Sequence, residues 1–203
     1  MALTITNIKR VGGSLALDFA NSIDWRLSDQ PYDWLRGYGD ILAWARATGC
    51  ITAAQKTTLG KLAKDRPSKA AAIYSKAIDL REAIDRIGRS VASDAPLVNG
   101  DLDTLNDALG QSPARTQLLR SRGGFHWFMP KTDLTTPLWP VCWSAADLFA
   151  GDDRNRIKVC AGEDCGWLFI DRSRNLARRW CSMSDCGNRD KARRFYARHK
   201  VPS

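Results

Sequence analysis

Apolar residues recur at three- and four-residue steps through 70–93, at Ile73, Ala77, Leu80, Ile84 and Ile87, and draw one buried stripe along an otherwise charged helix. Pro67 and Ser68 open that helix, the longest in the chain. Two shorter helices precede it. One begins near Asp40, whose carboxylate can cap the following amides, and ends at Gly49; the other covers 53–64 behind Thr52. A further helix follows Asn99-Gly100 over 101–110, and a strongly apolar one runs from Thr136-Pro137 to Gly151. Strand signals are sparse. Residues 3–13 predict a short strand ending at Gly12-Gly13, and 114–130 predict a β-hairpin around Gly123-Gly124. Between them, 14–24 is an apolar stretch interrupted by Asp18, Asn21 and Asp24, followed by a loop through 29–31. No internal repeat or low-complexity tract is present.

The pattern changes at Gly151-Asp152-Asp153, which marks a boundary between a helical N-terminal domain, 1–150, and a C-terminal unit, 151–203. In that unit Cys160, Cys165, Cys181 and Cys186 form two Cys-x4-Cys pairs separated by fifteen residues. Four thiolates so placed can close a tetrahedron around Zn²⁺. Gly166 and Gly187 follow the second ligand of each pair, where positive φ lets backbone amides turn toward sulfur. The competing readings are weaker. Disulfides need an oxidising compartment, and the N-terminus shows no apolar run after a basic start. A redox pair would be Cys-x-x-Cys beside a βαβ pattern. Cys50 and Cys142 stand alone and are expected to be buried apolar residues. Strands at 156–160 and 167–171 would flank the first pair, and a helix over 188–200 would follow the second. The expected fold class is therefore mainly α: a helical N-terminal domain with a small β-hairpin, plus a treble-clef-like zinc finger. Its core is expected from Trp167, Phe169, Trp180 and Phe195, completed by structural zinc.

Charge sharpens this picture. The net charge is +9, and residues 151–203 hold 13 Lys+Arg against 7 Asp+Glu, or +6. A basic unit of this kind points to a polyanion, most simply nucleic acid. Arg172, Arg174, Arg178 and Arg179 in the loop before the second cysteine pair are assigned to phosphates. On the last helix, Arg189, Lys191, Arg193, Arg194 and Arg198 are the remaining candidates, with Arg189, Arg193 and Arg194 assigned to the major groove of double-stranded DNA. Some of these arginines could instead fork onto Asp171, Asp185 or Asp190. Asn188 is read as a cap for the helix. The solvated basic helix with no ligand is the plain alternative, and an excess of arginine over lysine argues against it.

Cys186-Gly187-Asn188-Arg189, together with CGWLFIDRSRN at 165–175 and RRWCSM at 178–183, resembles the CGNR zinc-finger family of bacterial proteins. GGSLALDFANS at 12–22 and YGDILAWA at 38–45 are similar to ABATE, the stress-induced transcription-regulator domain that accompanies this finger. The resemblance covers nearly the whole chain and implies a helical sensor or dimerisation domain fused to a DNA-binding finger.

An enzyme is not expected. Four cysteines leave no open position on the metal, and only His126 and His199 are available as histidine acids or bases, neither beside a nucleophile signature. No phosphate-binding glycine loop occurs. Asp18 and Asn21 could line a pocket for a small-molecule effector, with bracing of a helix start as the simpler role. Regulation is expected through such a ligand, a homodimer, or both, in a cytoplasmic protein with no membrane span. The alternative functions are an RNA- or protein-binding zinc module, or a small-molecule-binding protein with a structural zinc.

Overall fold

The longest helix, α4 (Pro67–Ser93), carries the predicted stripe inward: Ile73, Ala77, Leu80, Ile84 and Ile87 are all buried. The computed structural model describes residues 4–115, 117–121, 124–128 and 132–199. Around α4 pack α1 (Leu15–Ala20), α2 (Tyr38–Ala47), α3 (Ala53–Asp65) and α5 (Asp101–Gln111), while α6 (Trp139–Ala150) packs on α1 and α5. The protein is mainly α-helical. Among the described residues, three two-stranded antiparallel sheets complete it: β1 (Ile23–Asp24) with β2 (Tyr32–Asp33), β3 (Leu118–Ser121) with β4 (Gly124–Trp127), and β5 (Ile157–Val159) with β6 (Leu168–Ile170). The last helix is α7 (Asn188–His199).

Local rules account for most boundaries. Thr52 and Gln55 form a reciprocal capping box at the start of α3. Asp94 ends α4 in the left-handed region. The hairpin over β3 and β4 forms as expected, its Gly123 lying outside the described residues. Cys50 and Cys142 are buried, and burial pushes their thiols up to about 11 and about 12.

Two local expectations need correction, and one stretch left without an element gains one. Residues 4–8 form a turn instead of a strand, because the Thr4 carbonyl accepts from both Asn7 N and Ile8 N at 3.0 Å. The apolar stretch after Gly13 is a helix, α1, capped by Ser14 Oγ accepting from Leu17 N. Helix α2 starts at Tyr38, and Asp40 Oδ2 accepts from Arg36 N at 2.9 Å rather than capping the residues after it.

One core serves both ends of the chain. Phe19, Trp44, Leu80 and Ile84 belong to the same buried cluster as Cys160, Cys165, Trp167, Phe169, Cys181 and Cys186. A second cluster joins Leu17 and Leu148 to Ile157, Leu168 and Ile170. Gly88 on α4 permits this: a Cβ there would lie 2.7 Å from Leu168 Cδ1. The 151–203 unit is thus seated directly on the helices.

Candidate metal centre and nucleic-acid surface

β5 runs into the first cysteine pair and β6 runs out of it, so Cys160 and Cys165 sit at the closed end of a hairpin. Cys186 lies in a wide helical turn, Met183–Gly187, that passes straight into α7. The four Sγ atoms are buried and lie within 4.8 Å of one another. Cys165 and Cys181 sulfurs are 3.7 Å apart, and those of Cys181 and Cys186 are 3.6 Å apart. Zn–S bonds of about 2.3 Å put tetrahedral sulfurs about 3.8 Å apart, whereas a disulfide is about 2.05 Å. No disulfide forms among these cysteines.

Four buried sulfurs at this spacing disturb one another's protonation. Cys165 and Cys181 are pushed up, first by Cys160, while Cys160 is held down by Cys165 and its neighbours. They cannot all ionise without a cation, and a divalent ion resolves the conflict. Further donors support thiolate: Gly162 N and Cys181 N donate to Cys160 Sγ at 3.4 and 3.2 Å, and Arg189 Nη2 donates to Cys186 Sγ at 3.0 Å. The donor set fits a tetrahedral thiophilic metal. Gly166 has φ +65, as expected, whereas no positive φ occurs at Gly187, which lies beneath the Met183 side chain.

The centre is gripped by the N-terminal segment. Asn21, at the end of α1, donates from Nδ2 to Leu168 O at 2.8 Å and accepts from Leu168 N at 2.9 Å. Ile170 N donates to Gly12 O at 2.9 Å, Trp167 Nε1 to Ile23 O at 2.7 Å, and Leu27 N to Asp164 O at 3.1 Å. Arg89 on α4 pairs with Asp85 at 2.7 Å and donates to Gly166 O. Trp25, at φ 56, lays its ring 4.4 Å from the Arg189 guanidinium carbon.

The basic residues fall into two groups. Arg178 is turned inward, donating to Trp180 O at 2.9 Å and to Cys181 O, with its guanidinium 4.3 Å from the Phe169 ring centre. Arg172 pairs with Asp153 at 2.7 Å. Arg193 pairs with Asp190 at 3.1 Å and with Glu163, and Arg194 with Asp190 at 3.0 Å. Arg189 is committed to Cys186 and Trp25. Of the three arginines assigned to the major groove, Arg189 and Arg193 tie α7 to the metal unit and Arg194 pairs within α7, while Arg178 braces the loop. Arg174, Arg179, Lys191 and Arg198 are exposed and form no ion pair with another described residue. Arg179 lies over Trp180, 5.0 Å from its ring centre.

Asp171 organises this unit, though not as the arginine fork its sequence position suggested. Asp171, fully buried, accepts from Lys158 Nζ at 2.7 Å, Ser173 N and Arg178 N at 2.9 Å, and Ser173 Oγ at 2.6 Å. Burial pushes its carboxyl up, but these donors outweigh burial and hold it well below the usual range. Asn188 is the first residue of α7 and not a side-chain cap for it: its Nδ2 donates back to Ser184 O at 3.2 Å and braces the preceding turn. Phe195 departs from expectation: it is 57% exposed and contributes nothing to the core, because the helices below already supply the apolar cover.

Residues 13–152 match the ABATE family, described as "Putative stress-induced transcription regulator". The chain belongs to the ABATE family. Residues 156–199 match the CGNR zinc finger. Comparison with curated proteins finds no match. The ABATE-CGNR order agrees with the resemblance drawn from the sequence, and no helix among the described residues is long and apolar enough to cross a membrane.

Within the ABATE segment, the pocket assigned to Asp18 and Asn21 is corrected. Asn21 spends its amide on Leu168, and Asp18 Oδ1 accepts from Gly12 N at 2.9 Å, so both hold the segment that grips the CGNR unit. Burial pushes the Asp18 carboxyl up to about 6, against the Gly12 amide and Arg10. Its proton is held more tightly in the folded than in the unfolded chain, so stability falls as pH rises from about 4 to about 6. Asp18→Asn keeps an acceptor for Gly12 N and should flatten that slope. Urea unfolding at intervals across this range would reveal it; parallel profiles for parent and variant would reject the assignment.

Proposed function

We propose that the chain is a transcription regulator that holds one structural zinc ion on Cys160, Cys165, Cys181 and Cys186 and binds DNA through its C-terminal unit. Zinc suits four thiolates in a closed tetrahedron, and a closed site leaves no position for an activated water, so the ion serves structure and not catalysis. The observation that carries the DNA reading is the sorting of cations. Most arginines of the unit are pinned to acids, carbonyls or sulfur, yet Arg174, Arg179, Lys191 and Arg198 stay exposed without an acidic partner among the described residues. A rigid unit with unspent positive charge attracts a phosphate backbone. An effector would enter the cleft of about 440 Å³ between α4, α5 and α6, floored by Ile73, Leu80, Leu138, Trp139 and Cys142.

Salt dependence separates the two groups of arginines. Arg174→Ala, Lys191→Ala and Arg198→Ala should each reduce the slope of log affinity against log salt by about 0.7 to 0.9 and leave melting unchanged. Arg178→Ala should lower the melting temperature, since its guanidinium closes the loop before Cys181. Identical slopes in the parent and all three exposed-cation variants would sink the DNA reading.

A further inference from the structure

Helix α7 has two unlike faces. Asp190, its one buried residue, pairs with Arg193 and Arg194, and Arg189 lies on Cys186. At about 100° per residue, positions 192, 195, 196 and 199 lie furthest from the Asp190 side. There Phe195, 57% exposed, stacks on His199 with ring centres 4.1 Å apart at 27°. Tyr196, 71% exposed, meets Phe195 edge-on at 5.8 Å and 79°. Lys191 and Arg198, both exposed and without an acidic partner among the described residues, lie about 40° and 60° around the helix from Phe195, on the flank away from Tyr196.

This composition suits one ligand better than a duplex groove. A groove-reading helix presents bidentate donors to base edges, and three of the four α7 arginines, Arg189, Arg193 and Arg194, are already paired. Flat aromatic faces need flat partners, and the faces of paired bases are hidden within their own stack. Unpaired bases expose those faces, and the adjoining phosphates need cations close to the rings.

Resting on the DNA-binding reading above, we propose that the outward face of α7 binds single-stranded DNA, with Phe195 and Tyr196 stacking on bases and Lys191 and Arg198 taking phosphates. The duplex is then the weaker ligand, and the protein engages an opened or unwound site.

The test uses the zinc-loaded full chain and fluorescence anisotropy with one sequence of about 12 nucleotides as single-stranded DNA, duplex DNA and single-stranded RNA. Single-stranded DNA should bind most tightly. Phe195→Ala and Tyr196→Ala should each weaken it by roughly 5- to 150-fold, the range of alanine losses at stacking positions. Tyr196→Phe, which keeps the ring face, should bind as the parent does. Because both side chains are exposed, unchanged melting of the variants checks the fold. Tighter binding to duplex or to RNA, or alanine variants that bind single-stranded DNA as well as the parent, would overturn this proposal and leave the nucleic-acid reading standing. So would alanine variants that only dissociate a dimer in sedimentation, which would make the face a contact between two copies. No binding to any of the three probes would overturn both.

Discussion

Stripping the metal with a chelator should abolish nucleic-acid binding and lower the melting temperature of the whole chain, not of a detachable finger. The four ligands, Trp167 and Phe169 share one buried cluster with Phe19, Trp44, Leu80 and Ile84. Removing the cation leaves four sulfurs within 4.8 Å that cannot all stay ionised, so they must take up protons or separate. Separation opens the core of the helices as well. Structural zinc contributes about 10 to 16 kcal/mol of apparent binding free energy in finger peptides, comparable with the entire 5 to 15 kcal/mol stability of an ordinary domain. Even a third of that loss would lower melting by roughly 10 to 20 °C in a chain of this size. Cys165→Ser should act in the same direction. Calorimetry with and without chelator, alongside metal analysis showing one zinc per chain, tests this. A helical transition unmoved by chelation would show that the two parts are energetically independent.

What could be read beforehand was local. The α4 stripe follows from 3.6-residue periodicity, the Thr52 capping box from a three-residue spacing, and the metal site from paired cysteines on short loops. Each is determined within a few turns of chain. Helix α1 escaped because six residues are too few to establish a period. The roles of the arginines escaped for another reason. Composition shows how much positive charge the unit carries, but not that Arg172 meets Asp153, Arg193 meets Glu163, or Arg178 folds back on Phe169. Those choices depend on where β5, β6 and α7 are seated. Phe195 was assigned to a core on the assumption that the finger must bury its own aromatics; the helices beneath it remove that need. GGSLALDFANS was recognisable as a family segment, yet its job, gripping Leu168 and Ile170, depends on contacts about 150 residues distant.

That grip makes Asn21→Leu the most disruptive single change expected outside the cysteines. Leucine keeps the heavy-atom branching of asparagine but is bulkier and cannot hydrogen-bond, so Leu168 N and Leu168 O both lose their partner at a buried site. Leaving a buried donor or acceptor unsatisfied costs about 1 to 3 kcal/mol, so two of them cost about 2 to 6 kcal/mol. Melting should fall by roughly 5 to 20 °C. The effect should also reach the metal, because Leu168 lies three residues after Cys165 and pairs with Val159, the residue before Cys160. Zinc should pass to a chromogenic chelator faster from the variant than from the parent. Trp167→Phe is the graded comparison: it loses the single hydrogen bond to Ile23 O and keeps an aromatic ring, so its effect should be smaller in both measurements. If Asn21→Leu melts with the parent and releases zinc no faster, β6 is held by apolar contact alone, through Leu168 against Gly88 and Ile170 against Gly13. The polar bridge would then be a consequence of docking and not its cause.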